Sequence, residues 1–244
     1  MKIKTFSFIS ILSFLLTVSV FAQSGFKADA TDNRNQASFI SDAPFEKIVG
    51  VANGLEANVM LDINNITNNP KGMVKVPVDK IKTGIDLRDE HLRSKDWLYA
   101  DKYPAALFEL ISIENSNSNS LSNGKKTDVK LKGKFSVHGV TNEVIVPATL
   151  TYFKENEMTK SKMPGNLLVV NTEFNIKLSD YGIRIPDMVV GKVNDEVKIT
   201  ANFVASDAAN MTGNPCNPCS TTEGKCNPCK MKEGKCNPCK MKKG

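Results

Sequence analysis

Little in the body of this 244-residue chain, before its cysteine-bearing tail, can do covalent chemistry. It has two histidines, His91 and His138, and a single tryptophan, Trp97. Neither histidine stands beside a candidate nucleophile in sequence, and a general base needs a positioned partner. Both are therefore read as residues that cap, orient or hydrogen-bond. The chain has no phosphate-cradling glycine loop, no nucleophile elbow and no HExxH pair. The acids Asp86, Asp89 and Glu90 stand close together, but at a helix start capping accounts for them. No cysteine occurs before Cys216, so no disulfide can staple the body of the chain. Beyond the first 22 residues no apolar run approaches the length needed to cross a bilayer. No catalytic constellation is expected in the body of the chain, and no transmembrane anchor beyond the leader.

The one long apolar run opens the chain. Lys2 and Lys4 precede it, and from Phe6 to Phe21 the residues are apolar with a few hydroxyls. Val20-Phe21-Ala22 offers a small-x-small cleavage site before Gln23. This pattern predicts a cleaved signal peptide over residues 1–22 and a periplasmic or secreted protein. No cysteine follows the run, which argues against a lipoprotein anchor.

The formal charge of +6 is unevenly spread. Lys2 and Lys4 belong to the leader, and the segment from Met211 carries seven lysines against two glutamates. Taking two charges for the leader and five for the tail leaves the body at −1. The basic balance thus says nothing of nucleic acid, and no nucleic-acid partner is expected.

After a polar stretch read as a flexible arm over residues 23–34, apolar residues recur with period two. Ala37, Phe39 and Ser41 share a face; so do Leu55, Ala57, Val59 and Leu61, then Val74, Val76 and Val78. Later runs are Ala106, Phe108 and Leu110; Val129 to Val137; Val144 to Tyr152; Leu168 to Leu178; and Val197 to Ala205. Period two marks half-buried strands, and the short polar connections suit antiparallel hairpins. About eight strands result, and an all-β barrel or a two-sheet sandwich both satisfy that pattern. The inward positions mix large residues with small ones. Such mixing fills a solid core, or leaves a cavity where the small ones gather.

One stretch breaks the alternation. In residues 84–110, GIDLRDEHLRSKDWLYADKYPAALFEL, Leu87, His91, Leu92 and Lys95 fall at helical spacing. Asp86 is placed to cap the start, and Asp89 and Glu90 suit the positive helix end. A short helical excursion is expected near residues 86–98, packed across one end of the β structure by Trp97 and Tyr99.

The same stretch, with LKGKFSVHGVTNEVIVPATLTY (residues 131–152) and SDYGIRIPDMVVGKVNDEVKITANF (residues 179–203), strongly resembles the YceI-like proteins. The run ASFISDAPFEKIVGVANGLEANVMLD (residues 37–62) fits the family's opening strands, although SDAPFEKIVG lacks the histidine that many members carry there. The resemblance covers roughly residues 35–206 and implies a lipocalin-like antiparallel eight-stranded β-barrel, placed at residues 35–208. It also implies an exported protein that binds an isoprenoid-like or other amphiphilic lipid, with no cofactor required. On that reading the candidate ligand-binding residues are Phe39, Trp97, Phe108, Phe135, Ala148, Phe174, Ala201 and Phe203. A homodimer stays open.

Residues 209–244 form a separate, disordered-type tail by composition. CNPC recurs at Cys216–Cys219, Cys226–Cys229 and Cys236–Cys239, with a ten-residue period. No histidine follows a pair, so haem attachment is excluded. In an exported protein disulfides are the default. Thiolate ligation of zinc or copper by Cys216, Cys219, Cys226, Cys229, Cys236 and Cys239 is the alternative, and thiol exchange a third. A tail-driven metal-handling or thiol-redox role is the competing reading of the whole chain.

Overall fold

The period-two runs become antiparallel strands around one barrel. The structure, a computed structural model, describes residues 23–208. The expected leader and the CNPC tail, with all six cysteines, lie outside the described residues. The strands are β1 (Ser24–Ala28), β2 (Gln36–Asp42), β3 (Lys47–Asn53), β4 (Glu56–Leu61), β5 (Lys71–Pro77) and β6 (Ile81–Lys82). Helix α1 (Asp86–Arg93) interrupts them. Then come β7 (Ala105–Glu114), β8 (Lys126–Val137), β9 (Val140–Phe153), the short α2 (Glu157–Lys160), β10 (Leu167–Lys177) and β11 (Glu196–Ser206).

Eight strands, β1-β4-β5-β7-β8-β9-β10-β11, close into a lipocalin-like barrel. Closure comes at Lys27 of β1, which pairs with Ser206 of β11. A closed barrel has no free edge to template aggregation. The long β7 to β11 hairpins supply most of the wall, with continuous registers such as Lys126↔Thr151 through Val137↔Val140. Strands β2, β3 and β6 branch from β11. The first half of β11 pairs with β2, over Val197↔Ser41 to Asn202↔Gln36, before its last residue meets β1. β3 pairs in turn with β6. These three strands extend the wall at one end, which becomes a mouth; the end built from β1 and β4 is a base.

The structure corrects the expected arm over residues 23–34. Ser24–Ala28 is the strand that completes the ring, paired with β4 from Ser24↔Leu61 to Ala28↔Ala57. The reason is packing: Phe26 and Ala28 point inward and are 1 % and 2 % exposed. Two inward residues in a five-residue strand, followed by a turn rich in Asp and Asn, leave too faint a period to read. β3 escapes the sequence pattern for a similar reason, since its inward residues Ile48, Gly50 and Ala52 are mostly small.

Two apolar clusters divide the interior. The base cluster joins Phe26, Leu55, Leu61, Ile66, Leu168 and Ala205, all at or near zero exposure. Loops seal it: Ile66 N–H donates to Asn119 O, and Leu121 N–H to Ile63 O, both at 2.8 Å. The second cluster, around Phe135, Val137, Ile176, Tyr181 and Val197, lies nearer the mouth.

Asn35 joins the two halves of this construction. It is fully buried, between β1 and β2. Its Oδ1 accepts the Val204 N–H at 3.0 Å, and its Nδ2 donates to Asp29 O at 3.2 Å. Its carbonyl receives the Leu55 N–H. Asn35→Ala leaves the Val204 N–H without its acceptor, so stability should fall by about 1–3 kcal/mol. Urea denaturation measures this; an unchanged midpoint would mean that water replaces the amide.

Candidate ligand-binding site

The mouth is built by three segments. The first is the β2–β3 hairpin, the second α1, and the third the connection from β10 to β11, with its 3-10 turn Asp187–Val189. Helix α1 does not start as expected. Ile85 is its N-cap, with no side-chain cap bond, and Asp86 is the first helical residue. Asp89 turns inward instead and is 1 % exposed. One of its oxygens accepts both the Thr83 N–H at 2.7 Å and the Thr83 hydroxyl at 2.6 Å. Lys82 Nζ stands 3.5 Å from the other oxygen. The Thr83 hydroxyl bond, more than the opposing cost of burial, holds the Asp89 carboxyl below the ordinary 3.8.

Arg88 is fixed beside it. Its guanidinium donates to the Thr83 hydroxyl at 3.0 Å, to the Thr83 carbonyl at 3.1 Å and to Glu46 at 2.5 Å. The last bond crosses from α1 to the β2–β3 hairpin. That hairpin also receives the third segment, since Phe45 N–H donates to Gly191 O at 3.0 Å. Ser41, buried on β2, accepts the Asn194 N–H at 2.9 Å.

Below this polar neck lies a cavity of about 420 Å³, open at the mouth. Its wall is almost wholly apolar: Ile48, Ala52, Val76, Val78, Leu92, Trp97, Leu98, Ile176 and Ile183 among others. Glu46, Thr83, Arg88, His91 and Lys192 border it. A second void of about 100 Å³ continues inward and shares Ala37, Val76, Ala106, Phe135 and Ile199 with the first. Sites for small molecules are commonly about 300–1,000 Å³, apolar, with few polar groups. The Phe135 ring stands edge-on to Phe174 at 5.5 Å and to Tyr181 at 5.6 Å, beside the junction of the voids. Burial raises the Tyr181 hydroxyl above its ordinary pKa.

A scan against family models matches residues 26–205 to the YceI-like domain. The chain belongs to the YceI-like family. Proteins of the UPF0312 group resemble it: one from Pseudomonas savastanoi is 32 % identical over 99 residues, 41 % of this chain. The chain spans 45 % of the length of that relative. Another, from Pseudomonas aeruginosa, is 25 % identical over 80 % of this chain and 94 % of its own length. Among solved structures, BcnA of Burkholderia cenocepacia superposes with a TM-score of 0.57 at 20 % identity, over 73 % of this chain and 99 % of BcnA. A polyisoprenoid binding domain from Saccharophagus degradans, implicated in plant cell wall breakdown, also gives 0.57, at 12 % identity over 76 % of this chain and 99 % of that domain. At these identities the structures share the fold.

Within this YceI-like barrel the expected ligand residues fall in different places. Phe39, Trp97 and Phe135 line the larger cavity. Phe108, Phe174, Ala201 and Phe203 border only the smaller void. Ala148 borders neither and is packed in the base cluster. Gly50 and Gly133, absent from that expected set, make room for aromatic rings. A Cβ at Gly50 would run into the Phe39 ring facing it across β2 and β3, and one at Gly133 would run into Phe108. The signal available in sequence is a small residue facing a large one across a strand pair. His138 sits in the β8–β9 turn with Nδ1 3.2 Å from Tyr181 O. His91 lies in the last turn of α1 at the mouth. Among the described residues no three His, Cys, Asp or Glu side chains gather as a metal site.

Proposed function

We propose that this YceI-like protein is an exported carrier that holds an isoprenoid-like or other amphiphilic chain in its cavity. One observation carries the reading: an open cavity of about 420 Å³ with an almost wholly apolar wall and its charged groups, Glu46, Arg88 and Lys192, on the segments that build the mouth. An aliphatic chain gains about 0.8 kcal/mol for each CH₂ taken from water. Ordering the complex offsets part of that gain. Lys192 at the neck suits the polar head. The leader sequence supports export, and no helix among the described residues is long and apolar enough to cross a membrane. The reading is binding without catalysis: Arg88 and Glu46 at the neck, and Asp89 beside them, are engaged in bonds that hold the mouth's segments together.

The test uses two tryptophans. Ala106 lies on β7 at the wall shared by both voids. Ala106→Trp should fill that junction and weaken farnesol binding at least tenfold, about 1.4 kcal/mol. Ala148→Trp should instead overpack the base, costing about 1–3 kcal/mol of stability while the folded fraction still binds. Native mass spectrometry and thermal unfolding read both. Equal farnesol occupancy in wild type and Ala106→Trp would sink the cavity as the site.

A further inference from the structure

Five large apolar side chains stand in solvent around the mouth: Phe45, Ile85, Leu87, Met188 and Val190. Phe45 and Met188 are 81 % and 85 % exposed. They sit on the three segments that build the mouth, and those segments are tied together. Phe45 bonds to Gly191 through its N–H, and its ring covers that glycine, where a Cβ would lie 2.7 Å from the ring. Arg88 reaches Glu46 from α1. Ile85 and Leu87 also border the cavity, so the rim continues its apolar wall.

Several exposed apolar residues elsewhere each face a charged one, although Val49 faces Ile40 across β2 and β3. Met73 faces Glu109 across β5 and β7, Leu107 faces Lys75, and Ile145 faces Lys132 across β8 and β9. At the rim five such residues gather on three tied segments, interleaved with charged ones, and gathered exposed apolar surface marks an interaction site. Its charges nearly cancel: residues 42–47, 85–93 and 184–192 hold six acids and five bases. A highly charged partner gains little there. The described chain also begins and ends at the base, where Ser24 pairs with Leu61 and Ser206 with Lys27 and Leu167.

We infer that this rim docks on the surface of an uncharged, zwitterionic lipid bilayer, with Phe45, Leu87 and Met188 seated among the lipids. The inference rests on the carrier reading for its purpose. With the mouth against the bilayer, an apolar chain passes into the cavity without crossing water. Aromatic and aliphatic tips on separate loops suit a fluid apolar layer, and interfacial binding of this kind scales with the apolar area inserted.

The experiment is sedimentation of the full chain, recovered after secretion, with phosphatidylcholine vesicles. Wild type should pellet with the vesicles. Raising sodium chloride from about 0.05 M to about 0.5 M should change the bound fraction less than about twofold, because salt screens charge and not apolar contact. The pair Phe45→Asp and Met188→Asp should cut vesicle binding at least about tenfold. Its thermal midpoint and its farnesol uptake in solution should stay at wild-type values. Wild type that binds farnesol yet ignores vesicles would overturn the docking and leave the carrier standing. Docking without farnesol uptake would uphold the rim and overturn the carrier. A variant that pellets like wild type, or a wild-type dimer that the two aspartates split, would assign the rim elsewhere and end the proposal.

Discussion

Phe26→Ala should lower stability by about 3–5 kcal/mol, the usual cost of removing a buried phenylalanine ring. A domain of this kind has only about 5–15 kcal/mol in total. The side chain is 1 % exposed and belongs to the base cluster with Leu55, Leu61 and Leu168. Its ring also meets Tyr152 edge-on at 6.3 Å. The loss should exceed that of an average core truncation, because Phe26 also anchors the strand that closes the ring. Without it β1 has only Ala28 buried in the base, and the Lys27↔Ser206 closure loosens. Denaturant unfolding gives the free energy. Hydrogen exchange at Phe26, Val59 and Val204 shows whether the seam opens first. A midpoint near that of wild type would mean that residues 23–34 are a dispensable arm after all.

That segment marks where sequence reading stops. The long strands are legible because alternation over eleven to fourteen residues, as in β9 and β10, cannot be mistaken for helix. Closure is not, because it depends on one short strand whose partners lie far away at Leu61 and Ser206. The ring has the expected eight strands, but a different set. The run Ala37–Ser41 lies in the branch that builds the mouth, and β1 takes its place in the ring.

The cavity is legible only as an alternative. Period two says which residues point inward, and says nothing of depth along the barrel. Depth separates Phe135, at the cavity, from Ala148, in the base, although both point inward on neighbouring strands. It also separates Ala37, shared by both voids, from Phe203, which borders only the inner one. The polar neck is hidden for another reason. Glu46 meets Arg88 across 42 residues of sequence, and in sequence Arg88 is one charge in a charged helix. Asp89 reads in sequence as a first-turn helix acid, since its neighbours give no hint that it faces inward.

Removing that inward carboxylate should be costly. Asp89→Ala should lose about 1–3 kcal/mol, because it leaves the half-buried Thr83 N–H and hydroxyl without their acceptor. Both bonds end on one oxygen, and an asparagine can offer one in the same place. Asp89→Asn should thus retain most of the stability. The pH dependence separates geometry from charge. The carboxyl is held below 3.8 in the folded protein, so its contribution is fully present above that value. Between the two pKa values the unfolded chain binds the proton more readily, and stability falls as pH drops through the folded value. Wild type should then lose stability below about pH 4 more steeply than Asp89→Asn. Thermal unfolding across that range measures the difference, and parallel curves would show that the charge contributes nothing. The consequence reaches the cavity, because Thr83 is also what Arg88 holds, and Arg88 ties α1 to Glu46. Freed from Asp89, the segment from Thr83 into α1 loses the bonds that set Ile85, Leu87 and Leu92 over the mouth. Asp89→Ala should accordingly release bound farnesol faster than wild type even at temperatures where the barrel stays folded.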